Sequence, residues 1–133
     1  MKILILGAGQ VGTSVAAALS VEDENDITVV DRDALRLREL TEKLDIRTVI
    51  GHASLPSVLS QAGIEDAALL VAVTSSDEVN IIACQIAAQQ VKPPTRVARL
   101  RDQEYLALVK SGLGGEGAVT AAISPEQLVC RHV

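Results

Sequence analysis

Short apolar runs and amphipathic stretches take turns along this chain from one end to the other. Residues 2–6 (KILIL) hold a single Lys in an otherwise apolar run, as a strand covered on both faces requires. Residues 10–20 place Val11, Val15 and Leu19 on one face of a helix. A second strand is predicted over 26–31 (DITVVD). A helix over 34–44 follows, with Asp33 as N-cap and Leu35, Leu37, Leu40 and Leu44 as its apolar positions. RTVIG, 47–51, reads as a third strand, and Pro56 opens a short helix that ends near Gly63. AALLVAVT, 67–74, is the most continuously apolar run and predicts a central strand. A long helix over about 77–90 carries Ile81, Ile82, Cys84, Ile86 and Ala87, and Pro93 and Pro94 stop it. RVARLR, 96–101, is a fifth strand and 103–111 a further helix. After the glycine-rich stretch from Gly112 to Gly117, 118–123 predict a last strand. Ser124 and Pro125 then suit the N-cap and first position of a final helix.

About six β–α units joined by short connections predict an α/β fold, a doubly wound parallel sheet of the Rossmann type. The 133 residues make one domain, large enough for a real core. The final helical stretch breaks off after a few residues, so the chain is expected to be a fragment of a longer protein. Nearly all of its hydrophobicity is aliphatic, with no Trp or Phe and Tyr105 as its lone aromatic residue. A net charge of −5 and the lack of stacking aromatics argue against a nucleic-acid platform. No apolar stretch approaches the roughly 20 residues of a membrane helix. Met1 leads directly into a strand, which leaves no room for a signal peptide. Cys84 and Cys130 lack metal-site spacing and read as two free thiols of a cytoplasmic protein.

In an open parallel sheet the ligand sits beyond the carboxyl ends of the strands, where the strand order reverses. The first strand ends in Gly7, Gly9 and Gly12, a G-x-G-x-x-G turn that runs into a helix. Gly7 permits the tight turn, Gly9 lets backbone approach a pyrophosphate, and Gly12 lets the helix pack closely; the helix start offers free N–H groups to an anion. Asp31 ends the second strand roughly 20 residues on and can accept from both ribose hydroxyls, which favours NAD over NADP. Arg32 has three readings: it accommodates a 2′-phosphate, lies flat over an adenine, or is a plain surface residue. Gly51, His52 and Ala53 end the third strand, where His52 is either a ligand contact near adenine and ribose or a loop histidine, in neither case a catalytic base. After the fourth strand, Ser76 or Asp77 caps the next helix, which is compatible with Thr74 touching a ribose or phosphate. Arg96, Arg99 and Arg101 follow, and Arg99 and Arg101 share one face of their strand. They serve either a solvated edge or a polyphosphate. The sequence carries no Ser–His–Asp set, no paired catalytic carboxylates and no Cys in a basic setting. A nucleotide site without a substrate site reads as a sensor.

The blocks MKILILGAGQVG, DITVVDRD, VIGHAS, AVTSSDEVN and RVARLR, in this order, resemble the N-terminal domain of the RCK (KTN, TrkA-N) family, the cytoplasmic regulators of bacterial potassium uptake channels. ISPEQLV resembles the start of that family's crossover helix, whereas 111–122 is richer in Gly and Ala than the family pattern. The resemblance implies a Rossmann domain that forms dimers and then a gating ring on a membrane potassium channel subunit of the TrkH type, at the inner membrane. NAD(H) and ATP or ADP would compete for its cleft. By position, Gly7, Gly9, Gln10 and Val11 would hold phosphates, Asp31 the adenine-side ribose, and Arg32 the adenine surroundings. His52 and Ala53 match the adenine-side loop, Thr74 the phosphate side, Arg99 an ATP phosphate contact, and Arg101 a contact to a neighbouring subunit's nucleotide. The alternative from the residues alone is the cofactor half of an NAD-dependent dehydrogenase.

Overall fold

The computed structural model describes residues 1–112, 119–123 and 130–131. Its strands are β1 (Lys2–Leu6), β2 (Asp26–Asp31), β3 (Arg47–Ile50), β4 (Leu69–Ala72), β5 (Thr95–Arg99), β6 (Ala121–Ile123) and β7 (Cys130–Arg131). Its helices are α1 (Gln10–Leu19), α2 (Ala34–Lys43), α3 (Pro56–Ala62), α4 (Asp77–Ala88) and α5 (Gln103–Lys110), with a single 3-10 turn at Ile64–Asp66. The strands lie in the order β3-β2-β1-β4-β5-β6-β7. All pairings from β3 to β6 are parallel, and β7 alone runs antiparallel, against β6. This is the doubly wound sheet predicted from the sequence, with its reversal between β1 and β4.

Period-two alternation sends successive β1 residues to opposite cores. Leu4 and Leu6 join Val30, Leu59, Leu70, Cys84 and Leu106 under α3, α4 and α5. Ile3 and Ile5 join Val29, Val71, Leu37 and Leu40 under α1 and α2. Burial of each such side chain contributes about 1.5–3 kcal/mol.

Local chemistry sets the ends of the elements. Asp33 caps α2 by accepting from the N–H groups of Leu35 and Arg36, and Gly63 ends α3 in the left-handed region at φ 92°. Some details depart from the sequence reading. Leu35 and Ile82 are exposed, because the buried stripe of each helix is narrower than its apolar content. β4 is shorter than the apolar run 67–74, since its paired register runs from Leu69 to Ala72 and leaves two residues of the run outside at each end. The final helix expected from Ser124 starts outside the described residues. Cys130–Arg131, where it was expected to continue, pair instead with β6, whose outer edge offers unpaired N–H and C=O groups.

Candidate functional site

The carboxyl ends of β1, β2, β3, β4 and β5 surround a cleft of about 470 Å³, which lies within the usual range for a small-ligand site. Gly7, Gly9, Gln10, Val11, Asp31, Arg32, Gly51, His52, Ala53, Thr74, Arg99 and Arg101 all line it. The twelve positions singled out in the sequence are thus brought together. Val30, Arg36, Val73, Ser75, Ser76 and Val79 complete the wall.

The turn from β1 into α1 forms the floor. Gly7 has φ 109°, and a Cβ there would press on the Val73 carbonyl at 2.9 Å. A Cβ on Gly12 would run into the Gly7 carbonyl, so the pair closes the turn tightly. Gly9 differs, because a Cβ built on it meets nothing of the surrounding protein nearer than Arg36 Nη1 at 4.0 Å. Packing therefore does not demand glycine at 9; the space a side chain would fill belongs to the cleft. Gly9 is also the N-cap of α1 and supplies no side-chain acceptor, so the first N–H groups of the helix stay available to an anion.

Asp31 joins this floor to β2. Its Oδ2 accepts from the Ala8 N–H at 2.7 Å and its Oδ1 from the Asp33 N–H at 2.8 Å. The carboxylate thus fixes both the glycine turn and the start of α2. Each oxygen keeps a further lone pair, enough for one hydroxyl apiece. His52 Nδ1 lies 2.8 Å from Ser54 Oγ and also accepts from the Ser54 N–H at 3.4 Å. That partnership holds the ring at the cleft wall.

The opposite wall is organised by the first turn of α4. Ser76 Oγ accepts from the Val79 N–H as its cap. Asn80, with no exposed surface, accepts from the Thr74 N–H (3.0 Å) and hydroxyl (2.7 Å). Its amide donates to the carbonyls of Thr74 (3.2 Å) and Arg99 (2.8 Å). Asp77, also buried, accepts from the N–H groups of Arg101 (3.0 Å) and Asp102 (2.8 Å). Asp77 is therefore a brace rather than the cap. Asn80 thus ties the end of β4 to Arg99 of β5, and Asp77 ties the segment after β5 to the start of α4, so that together they fix the backbone at Arg99 and Arg101. The sequence reading did not single out Asn80 for this role, because its bond to the Arg99 carbonyl joins α4 to a different strand.

β5 ends at Arg99, so strand alternation alone does not place Arg101; the Asp77 bonds do. Among the described residues neither guanidinium forms an ion pair. Burial, and then the like charge of Arg101, lower the pKa of Arg99, against a smaller opposing pull from Asp77. Two cations held close together with unfilled donors are an arrangement that anionic oxygens relieve. Arg96 does not line the cleft; its Nη1 donates to the Pro94 carbonyl. The described residues contain no cluster of three or more His, Cys, Asp or Glu that could hold a metal ion, and no helix long and apolar enough to cross a membrane.

Comparison with known proteins gives the same outline. The TrkA-N domain family model matches residues 3–125. The Trk system potassium uptake protein TrkA of Halomonas elongata is 57% identical over the whole chain, and that of Vibrio alginolyticus 53%. The chain spans 29% of the length of each of these relatives. Among solved structures, the TrkA-N domain of the inner membrane protein ybaL from Escherichia coli superposes with a TM-score of 0.75 at 21% identity, covering 94% of this chain and 87% of that one. The GsuK channel bound to NAD matches with a TM-score of 0.73 at 20% identity, covering 93% of this chain and 21% of that one. At such identities the structural likeness speaks for the fold.

Proposed function

Because the chain belongs to the TrkA-N domain family, we propose that it is the nucleotide-sensing module of a potassium uptake regulator, a binding domain without catalysis of its own. NAD(H) and ATP or ADP compete for the cleft. Gly7, Gly9, Gln10 and Val11 cradle the phosphates on the α1 N–H groups. Asp31 grips the ribose, with Arg32, Gly51, His52 and Ala53 around the adenosine, and Thr74 lies on the phosphate side. Arg99 meets the outer phosphates of ATP, and Arg101 meets those of a nucleotide held by a neighbouring copy. Copies pair and assemble into a ring on the cytoplasmic side of a TrkH-like membrane channel subunit, and the nucleotide that fits one ring conformation better shifts the population towards it.

The observation that carries this reading is the facing of two guanidiniums, neither in an ion pair among the described residues, against a glycine turn and a carboxylate in a single cleft. The names and ligands of the relatives support the extension to potassium uptake and to NAD. The test is displacement of NADH by ATP, followed by NADH fluorescence. ATP is expected to release NADH. Arg99→Ala is expected to weaken ATP by roughly tenfold, the loss of one charge-assisted contact, and NADH by less. Equal losses, or NADH that ATP fails to displace, would favour the dehydrogenase-type reading instead.

A further inference from the structure

We propose that Arg36 is a further ligand residue of this cleft, a clamp on the diphosphate that NADH, ADP and ATP share. The inference rests on the nucleotide reading above and adds a residue to it. Arg36 lies in the first turn of α2, yet its guanidinium reaches across to the β1–α1 turn. Its Nη1 is the nearest surrounding atom to the space above Gly9, 4.0 Å from where a Cβ would stand. The side chain lines the main cleft and also a second groove of about 400 Å³, where Thr13 and Ser14 of α1 face Glu39 and Lys43 of α2. It therefore stands at the seam between the two and overhangs the floor. A diphosphate lying on the α1 N–H groups at Gly9 would have this guanidinium as its roof.

Arg36 is poised for this contact. Its ion pair is with Asp33, through Nε at 3.6 Å, too long for a good hydrogen bond. Both side chains are at least half exposed, so the pair is weak and easily exchanged. Asp33 spends Oδ1 on capping α2 and faces Arg36 with Oδ2. The carboxylate thus orients the guanidinium through one nitrogen and leaves the two terminal nitrogens for a bidentate anion.

The test titrates the 133-residue chain and its variants with NADH, ADP, NADPH and adenosine, using calorimetry for the phosphorylated ligands and ligand-observed NMR for adenosine. Arg36→Ala is expected to weaken ADP and NADH alike, by roughly tenfold, with adenosine binding and Tm unchanged because the side chain is exposed. Arg36→Lys, which keeps the charge but not the fork, is expected to recover part of the loss. Asp33→Ser keeps a capping acceptor and removes the competing carboxylate. It is expected to tighten ADP a few-fold, and to do so only when Arg36 is present. ADP and NADH affinities that ignore Arg36→Ala would overturn the proposal. So would a loss confined to NADPH, which would make Arg36 a reader of the 2′-phosphate, or an equal loss for adenosine, which would place it on the base. If the unaltered chain binds none of these nucleotides, the reading beneath the proposal fails first and takes it down.

Discussion

Asp31 is placed to serve folding and, on the proposed function, binding as well. Its two oxygens hold the Ala8 and Asp33 N–H groups, so the geometry offered to a ribose exists before any ligand arrives. Asp31→Asn replaces one acceptor with an amide donor that faces a backbone N–H. The mismatch is expected to destabilise the fold by about 1–3 kcal/mol and to lower NADH affinity at least tenfold. Urea melts and calorimetric titration of the same sample check both numbers, and full affinity in a folded variant would remove Asp31 from the site. Cys84 gives a second residue-scale prediction. Burial pushes its thiol from 9.0 up to about 12. The unfolded chain then releases this proton near pH 9, whereas the folded chain retains it up to about pH 12. Cys84 therefore contributes stability that is fully present below pH 9 and is lost on going through the window to pH 12, by about 1.4 kcal/mol per pH unit. In a Cys130→Ser background, urea stability is expected to fall between pH 9 and 10.5 with this slope beyond that of a Cys84→Ala control. Thiol labelling is expected to proceed only through unfolding.

At the scale of elements, α4 is the part that organises the cleft wall opposite the glycine turn. Asn80→Ala leaves the Thr74 N–H and the Arg99 carbonyl, both partly buried, without their partner. The expected loss is roughly 3 kcal/mol and a fall in Tm on the order of 10 °C. Ser76→Ala removes the helix cap alone and is expected to reduce stability by about 1 kcal/mol. Thermal melts of the two variants separate brace from cap, and similar losses would mean that Asn80 does no more than fill space. The same contrast explains what was readable in advance. Strand and helix positions follow from local periodicity, and Asp33, Pro56, Gly63 and Ser76 mark the ends through bonds or torsions within a few residues. The cleft residues were legible because the topology rule sends every strand's carboxyl end to one place. Asn80, Asp77 and Arg36 were not, for a physical reason. Their roles depend on backbone or space supplied by another element, and in the sequence they look like ordinary polar positions on helices.

The whole molecule couples its two cores through the sheet whose reversal point forms the cleft, so a ligand there touches the ends of β1, β2, β4 and β5 together. Binding at such a place stabilises the entire fold through mass action, by about 2.7 kcal/mol at a hundredfold excess over Kd. NADH and ATP added singly are each expected to raise Tm by several degrees. Added together, each at its saturating concentration, they are expected to give little more than the larger single shift, because a cleft of about 470 Å³ holds one nucleotide at a time. Two independent sites would instead give a shift near the sum. Under the proposed function, the distinction bears on gating. A ring biased by exclusive occupancy responds to the ratio of the two nucleotides, and a ring with separate sites responds to each concentration on its own. Differential scanning fluorimetry over a grid of both ligands therefore tests whether this domain reports an energy ratio, and additive shifts would mean that it does not.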